Sequence, residues 1–463
     1  MNNDEGSTGQ NGQNDWNRRE FIKGASSFGA LMVLMGGVPL QAEDKTNAAP
    51  ATAYSTVGAP LNCALIGCGI WGREVLQTLA LLPNAPVVAV CDTYEPFLRR
   101  AKEAAPKAQT YTDYKKLLEQ KDVQGVIVAT PSYLHREIVE AALKAGKHVY
   151  CEAPLATTVE DAQAIAKAAK AAVKLNFQSG LQMRSDPQRH FLLQFVRSGA
   201  MGRTIMARSQ WHKKESWRRT SPNAQRETEI NWRLRKDQSI GLVGEIGIHQ
   251  LDLISWFIGG QPTAVGGFGG ILQWNDGRDV ADTIQTVFEF PSGVNLSYDC
   301  TLANSFDADY DMIYGTDAAV MMRGNKAWMF KEADSPLLGW EVYARKDQFY
   351  QETGIALVAN ATKLVALQNK ATEVVPFSET ALHYALEAFV KNSNVVTTGV
   401  EDFVSNYGDS TDGLREHLAG LSKSRLPAAG YREGFAATVS VIKANEAISK
   451  GQKVSMQKEW FEI

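Results

Sequence analysis

The segment LNCALIGCGIWGREVLQTLALL limits the fold more than any other part of this chain. A short apolar run ends on Gly67, Gly69 and Gly72, and apolar residues then return at helical spacing, so a strand feeds a helix through a Gly-x-Gly-x-x-Gly turn. In such a turn the first glycine permits the sharp reversal, the second lets a pyrophosphate approach the backbone, and the third lets helix and strand pack closely. The amides that open the helix, at Ile70 and Trp71, then face the phosphates.

The alternation continues. PVVAVCD, QGVIVAT, KHVYCE and VKLNFQ read as strands, and YEPFLRRAKEAA, LHREIVEAALKAG and VEDAQAIAKAAKAA read as helices between them. Strands apolar on both faces, separated by helices, predict an α/β domain with a doubly wound parallel sheet of the Rossmann kind over residues 61–180. Asp92 closes the second strand about 25 residues after Gly67, where an acid bonds the adenosine ribose hydroxyls. A carboxylate there repels a 2′-phosphate, which makes NAD the expected cofactor.

Beyond residue 180 the grammar changes. TIMARSQWHKK, TAVGGFGGILQW, DTIQTVFEF, GVNLSYDCTL and DYDMIYGT read as strands without long helices between most of them. Residues 181–463 are therefore expected to form a substrate-binding and oligomerisation domain around an open, largely antiparallel sheet. Open sheets pair readily, so a homo-oligomer, a dimer or tetramer, is expected through it. Within this region GLVGEIGIHQLDLISWFIGG places Glu245, His249 and Asp252 at helical spacing on one side of a single helix. An imidazole with acidic neighbours in register gains basicity and suits a general base for an alcohol proton.

The first 42 residues read as an address rather than as fold. Arg18 and Arg19 precede a mildly apolar run broken by Gly24, Gly29, Gly36 and Gly37, which resembles a twin-arginine export signal and is a poor membrane span. The expected destination is the periplasm or the medium, with no stable membrane anchor. Residues 43–60 are small, polar and proline-bearing, as in a linker. A formal net charge of -3 argues against a nucleic-acid surface. Five cysteines, mostly on predicted strands, read as buried thiols, and no spacing suggests a metal site.

Taken in order, GCGIWG, VCD, ATPSYLH, CEAPLA and GEIGIHQLDLISWFIG resemble the Gfo/Idh/MocA oxidoreductases. The resemblance implies NAD(P)-dependent chemistry at a hydroxyl of a sugar or polyol. It places Thr130, Pro131 and His135 along the cofactor crevice, Glu152 and Pro154 at the nicotinamide, and His249 with Glu245 at the proton. Two positions depart from the family pattern. Ala153 replaces the lysine of its Glu-Lys-Pro motif, and Glu245 replaces an aspartate. A compensating cation is sought in WHKKESWRR, with Lys213, or in NWRLRK, with Trp232 and Arg233; Asp252 joins these on the substrate side. Three functions fit: an exported oxidoreductase holding NAD tightly, a redox-assisted glycosidase that oxidises, eliminates and re-reduces, and a sugar-binding protein that keeps NAD without turnover.

Overall fold

The computed structural model describes residues 58–358, 377–408 and 412–463. The export signal and most of the linker lie outside the described residues. Strand β1 (Cys63–Ile66) leads into helix α1 (Ile70–Leu79), followed by β2 (Val87–Cys91), α2 (Glu95–Ala104), β3 (Gln109–Tyr111), α3 (Tyr114–Leu118) and β4 (Gly125–Val128). Helix α4 (His135–Lys144), β5 (His148–Cys151), α5 (Val159–Ala171) and β6 (Phe177–Ser179) complete a six-stranded parallel sheet of order β3-β2-β1-β4-β5-β6. Every residue of β1, β4 and β5 is buried, which is why these strands are apolar on both faces. The chain leaves β1 towards β2 on one side and reaches β4 on the other. Their carboxyl ends therefore open a crevice at the switch point.

The short β3 and α3 were not legible from periodicity. Two of the three β3 residues are exposed, and α3 is one turn capped by Asp113, whose side chain accepts from the Lys115 amide at 2.9 Å.

Helix α6 (Pro187–Arg197) leads to β7 (Thr204–His212), α7 (Ala224–Ile230), α8 (Gly241–Glu245) and α9 (Gly247–Ile258). Then come β8 (Ala264–Gly270), β9 (Thr283–Glu289), β10 (Asn295–Thr301), β11 (Asp309–Gly315), β12 (Ala318–Arg323), β13 (Lys326–Lys331), β14 (Lys346–Phe349) and β15 (Glu352–Ala356). Helices α10 (Ala381–Tyr407), α11 (Leu414–Gly420) and α12 (Tyr431–Lys450) and the short β16 (Val454–Ser455) end the chain. The second sheet has ten strands, β14-β15-β13-β12-β11-β7-β10-β9-β8-β16, antiparallel except where β7 runs parallel to β10. Along β10, Leu296, Tyr298 and Cys300 are buried while Asn295 and Ser297 are exposed, so one face holds the core and the other is open.

The sequence boundary at residue 180 separates the sheets but not the packing. Leu382, Leu386 and Phe389 of α10 join Val75, Leu76 and Leu98 in one core on the first sheet, and Phe435 and Val439 of α12 join the core on its other face. A β-carbon on Gly125 would lie 3.1 Å from the Phe389 ring, so glycine at the start of β4 admits that ring. All five cysteines are buried and unpaired, with the Cys63 thiol pushed up to about 12 by burial, and they are chemically quiet. Among the described residues no helix is long and apolar enough to cross a membrane.

Candidate active site

The glycine turn is built by what it excludes. Gly67 has φ 97°, and a β-carbon there would sit 2.5 Å from the Ala129 carbonyl oxygen. One on Gly72 would sit 2.0 Å from the Gly67 carbonyl oxygen, so the first turn of α1 packs directly on the loop. Gly69 differs, since apart from its own neighbours along the chain nothing lies within 4 Å of where its side chain would be. That open approach, beside the exposed Ile70 and Trp71, fits a pyrophosphate. Asp92 is pinned close by, with Oδ2 accepting from the Cys68 amide at 2.7 Å and Oδ1 from the Tyr94 amide at 2.8 Å. Burial raises its pKa and the two amides oppose that rise.

Further along the strand ends, Thr130 Oγ1 and Glu152 Oε1 are buried without a hydrogen-bond partner in the protein. Buried polar atoms are costly to leave unpaired, so these two fit the polar edge of a bound nicotinamide dinucleotide. Burial pushes the Glu152 carboxyl up to about 7, opposed by the Trp71 indole and the Ala153 amide. Gly180 makes its room, because a β-carbon there would lie 2.5 Å from Glu152 Oε2. Pro131 opens the short turn after β4, and Pro154 follows a cis peptide bond.

His135 does not line the crevice. It is buried, with Nδ1 3.0 Å from the Pro154 carbonyl oxygen and Nε2 3.0 Å from that of Thr130. Its imidazole braces the two crevice loops from behind, and burial lowers its pKa to about 4.

The catalytic candidates are placed differently from the single-helix expectation. Ile246, at φ -121° and ψ -55°, breaks the helix between α8 and α9, so Glu245 ends one segment while His249 and Asp252 lie on the next. Gly247 lets α9 lie against the sheet, since a β-carbon there would be 2.7 Å from the Tyr298 ring. Glu245 turns to other partners, accepting from Ser239 Oγ at 3.2 Å and Arg233 Nε at 3.3 Å. Asp252 is committed to Arg184, accepting at 2.8 Å from both Nε and Nη2, with that guanidinium 5.3 Å from the Trp256 ring centre. Both of its carboxylate oxygens are thus engaged by that guanidinium.

His249 is half-buried, and among the described residues no protein group hydrogen-bonds its imidazole. Burial lowers its pKa to about 4 instead of raising its basicity. The ring is therefore neutral at ordinary pH, with a nitrogen able to accept a proton.

Of the basic residues in the two aromatic segments, Lys213 pairs with Glu215 at 2.9 Å in solvent and Arg235 pairs with its neighbour Asp237. Arg233 is held otherwise. Its guanidinium lies 4.7 Å from the Trp232 ring centre and 5.9 Å from that of Trp217, and 45% of its side chain is exposed. Trp217 adopts φ 63°, a left-handed conformation that costs about 1–3 kcal/mol for a side chain of this kind. Trp232 is buried and meets the Tyr133 ring edge-on at 6.2 Å, which joins this wall to the loop after β4. Sequence reasoning missed Arg226, on α7. Its Nη2 donates to the Thr93 carbonyl oxygen at 2.7 Å, and no local pattern marks so distant a contact.

Fold and crevice together define a dinucleotide-binding oxidoreductase. Residues 61–180 match the model of an oxidoreductase family with an NAD-binding Rossmann fold, and residues 191–321 match the GFO/IDH/MocA C-terminal domain. The chain belongs to the Gfo/Idh/MocA family. It is 28% identical to 2,7-anhydro-N-acetylneuraminate hydratase of Escherichia coli over 56% of this chain and 67% of that one. It is 27% identical to levoglucosan dehydrogenase of Pseudarthrobacter phenanthrenivorans over 56% of this chain and 73% of that one. Among solved structures, a levoglucosan dehydrogenase in complex with NADH and levoglucosan superposes with a TM-score of 0.62 at 18% identity, over 86% of this chain and all of that one. Among the described residues no group of His, Cys, Asp and Glu is placed to hold a metal ion.

Proposed function

We propose that the protein oxidises or reduces a hydroxyl of a sugar, polyol or sugar derivative with tightly held NAD, and that His249 moves the hydroxyl proton. The observation that carries the reading is the neutral, unpartnered imidazole of His249, half-buried on α9. When bound, NAD would supply the hydride acceptor or donor for the carbinol carbon. Gly67, Gly69, Ile70, Trp71 and Gly72 would hold its pyrophosphate, Asp92 its ribose, and Thr130, Pro131, Glu152 and Pro154 its nicotinamide end.

As hydride leaves a carbinol, its oxygen must lose a proton, and a ring nitrogen of His249 receives it. The lysine usual beside that oxygen is absent at Ala153, and Arg233 is the cation offered in its place. Stacked on Trp232 and bonded through Nε to Glu245, it keeps its terminal N–H groups for a substrate oxygen. Glu245 thus acts on the site through Arg233.

A second reading has support of its own. Loss of the lysine, together with a relative named for a hydratase, favours a cycle with no net oxidation, in which the sugar is oxidised, a leaving group or water is eliminated or added, and the hydride returns. Product analysis on a panel of free sugars, anhydro-sugars and aryl glycosides, without added acceptor, separates the two. Keto-sugar with reduced cofactor supports the first, and released aglycone or hydrated sugar supports the second.

Arg18 and Arg19 support export by the twin-arginine route. The open face of the second sheet exposes Met206, Phe268 and Val287, which supports a homo-oligomer formed there.

A further inference from the structure

Residues 219–231 form a closed loop between two anchors on the first domain. Its base is pinched by Asn231, which accepts from the Arg219 amide through Oδ1 at 2.7 Å and donates to the Arg219 carbonyl oxygen through Nδ2 at 2.9 Å. One flank is fixed where Trp232 meets Tyr133, just beyond β4. Its far end reaches the loop after β2. There Arg226 Nη2 donates to the Thr93 carbonyl oxygen at 2.7 Å and Nη1 to Thr93 Oγ1 at 3.0 Å, with the guanidinium 5.4 Å from the Tyr94 ring centre. Thr93 directly follows Asp92. Glu229 pairs with Arg226 and is near enough to both Asp92 and Tyr133 to raise their pKa values.

Sheet order turns these two anchors into a constraint. β1 lies between β2 and β4, so a segment fixed to the loops after β2 and β4 must cross the end of β1. That end carries the glycine turn. Two strand spacings are about 10 Å, and a seven-residue helix such as α7 is about 10 Å long, so the span is matched. Yet α7 contributes no buried residue. Apolar packing does not hold it in place, and its position depends on the polar contacts of Arg226 and the ion pair of Arg218 with Glu227.

We infer that residues 219–231 are a strap across the pyrophosphate site and that Arg226 is its latch, so the dinucleotide leaves only when the Arg226 contacts with Thr93 break. The inference rests on the NAD-dependent reading and extends it. A latched cofactor is a retained group, and each turnover must restore it in place, by a second substrate or within the same sugar.

The test loads the full-length protein with NADH, adds excess NAD, and follows the loss of bound-NADH fluorescence. Arg226→Ala is expected to speed release by at least about tenfold, since it removes two charge-assisted hydrogen bonds. Arg226→Lys should fall between, and Thr93→Val, which removes only the hydroxyl contact, should speed release less. Thermal melting should stay near wild type, because α7 buries nothing. Should Arg226→Ala fail to fold, Thr93→Val alone carries the test, and unchanged release from it overturns the latch. Release from folded Arg226→Ala within about twofold of wild type overturns it as well. NADPH bound more tightly than NADH, with that preference lost in Arg226→Ala, would make Arg226 a 2′-phosphate reader and also overturn it. Wild-type protein that binds no NADH at all would instead remove the NAD reading beneath it.

Discussion

Burial of His249 makes a sharp kinetic prediction. With its pKa lowered to about 4, the imidazole is the proton-accepting neutral form across most of the working range. A base of that pKa is still about 90% neutral at pH 5, so its share of kcat/KM for sugar oxidation should fall only about 10% between pH 7 and pH 5. An imidazole left at the ordinary value near 6.5 would cost about 25-fold over the same interval. Glu152 complicates the window because burial pushes its carboxyl up to about 7. The profile is therefore measured in wild type and in Glu152→Gln, which keeps the shape and removes the titration. Folding needs its own control. The folded imidazole titrates below the unfolded one, so its contribution to stability is complete above about pH 6.5 and is lost as pH falls towards about 4. His135 and His148, also lowered to about 4, act in the same direction, and circular dichroism at each pH keeps unfolding apart from catalysis. An acid limb near pH 6.5 in Glu152→Gln, with the fold intact, would refute the reasoning.

Three further outcomes are open to measurement, two from the geometry and one from the sequence. Gly72→Ala should lower both melting temperature and NADH affinity, because its β-carbon meets the Gly67 carbonyl oxygen, whereas Gly69→Ala should spare the fold and weaken NADH alone; equal melting losses would contradict this. Asp252→Asn should cost about 3–5 kcal/mol in urea unfolding by stranding the buried Arg184 charge, and a loss of activity without a loss of stability would return Asp252 to the substrate. Replacing Arg18 and Arg19 by lysine should leave the chain in the cytoplasm on fractionation, and undiminished export would remove the twin-arginine reading.

Where one local rule decided the structure, the sequence was legible. The parallel sheet followed from strands apolar on both faces, and the glycine turn from a motif whose steric reasons are local. The second sheet followed from alternation, as along β10. What escaped depends on contacts between distant segments. Helical periodicity marks α10 as amphipathic but cannot say that Phe389 packs over Gly125 on the other domain's sheet. Spacing put Glu245, His249 and Asp252 on one helix face, but the break at Ile246 and the attractions of Arg233 and Arg184 sent the two carboxylates elsewhere. His135 carried a motif position without the role assigned to it, since a buried ring between two carbonyl oxygens is a brace. Arg226 left no sequence signal of its crevice contact, because Thr93 lies 133 residues away.

Isotope transfer tests the central claim most directly. A sugar carrying deuterium on the reacting carbon is incubated with NAD-loaded protein, and the dinucleotide released on denaturation is weighed by mass spectrometry. The account predicts deuterium on the nicotinamide, appearing about 10²- to 10⁴-fold more slowly in His249→Ala while dinucleotide content is unchanged. Deuterium on no nicotinamide from any sugar of the panel, or its arrival at the same rate with and without His249, would contradict it.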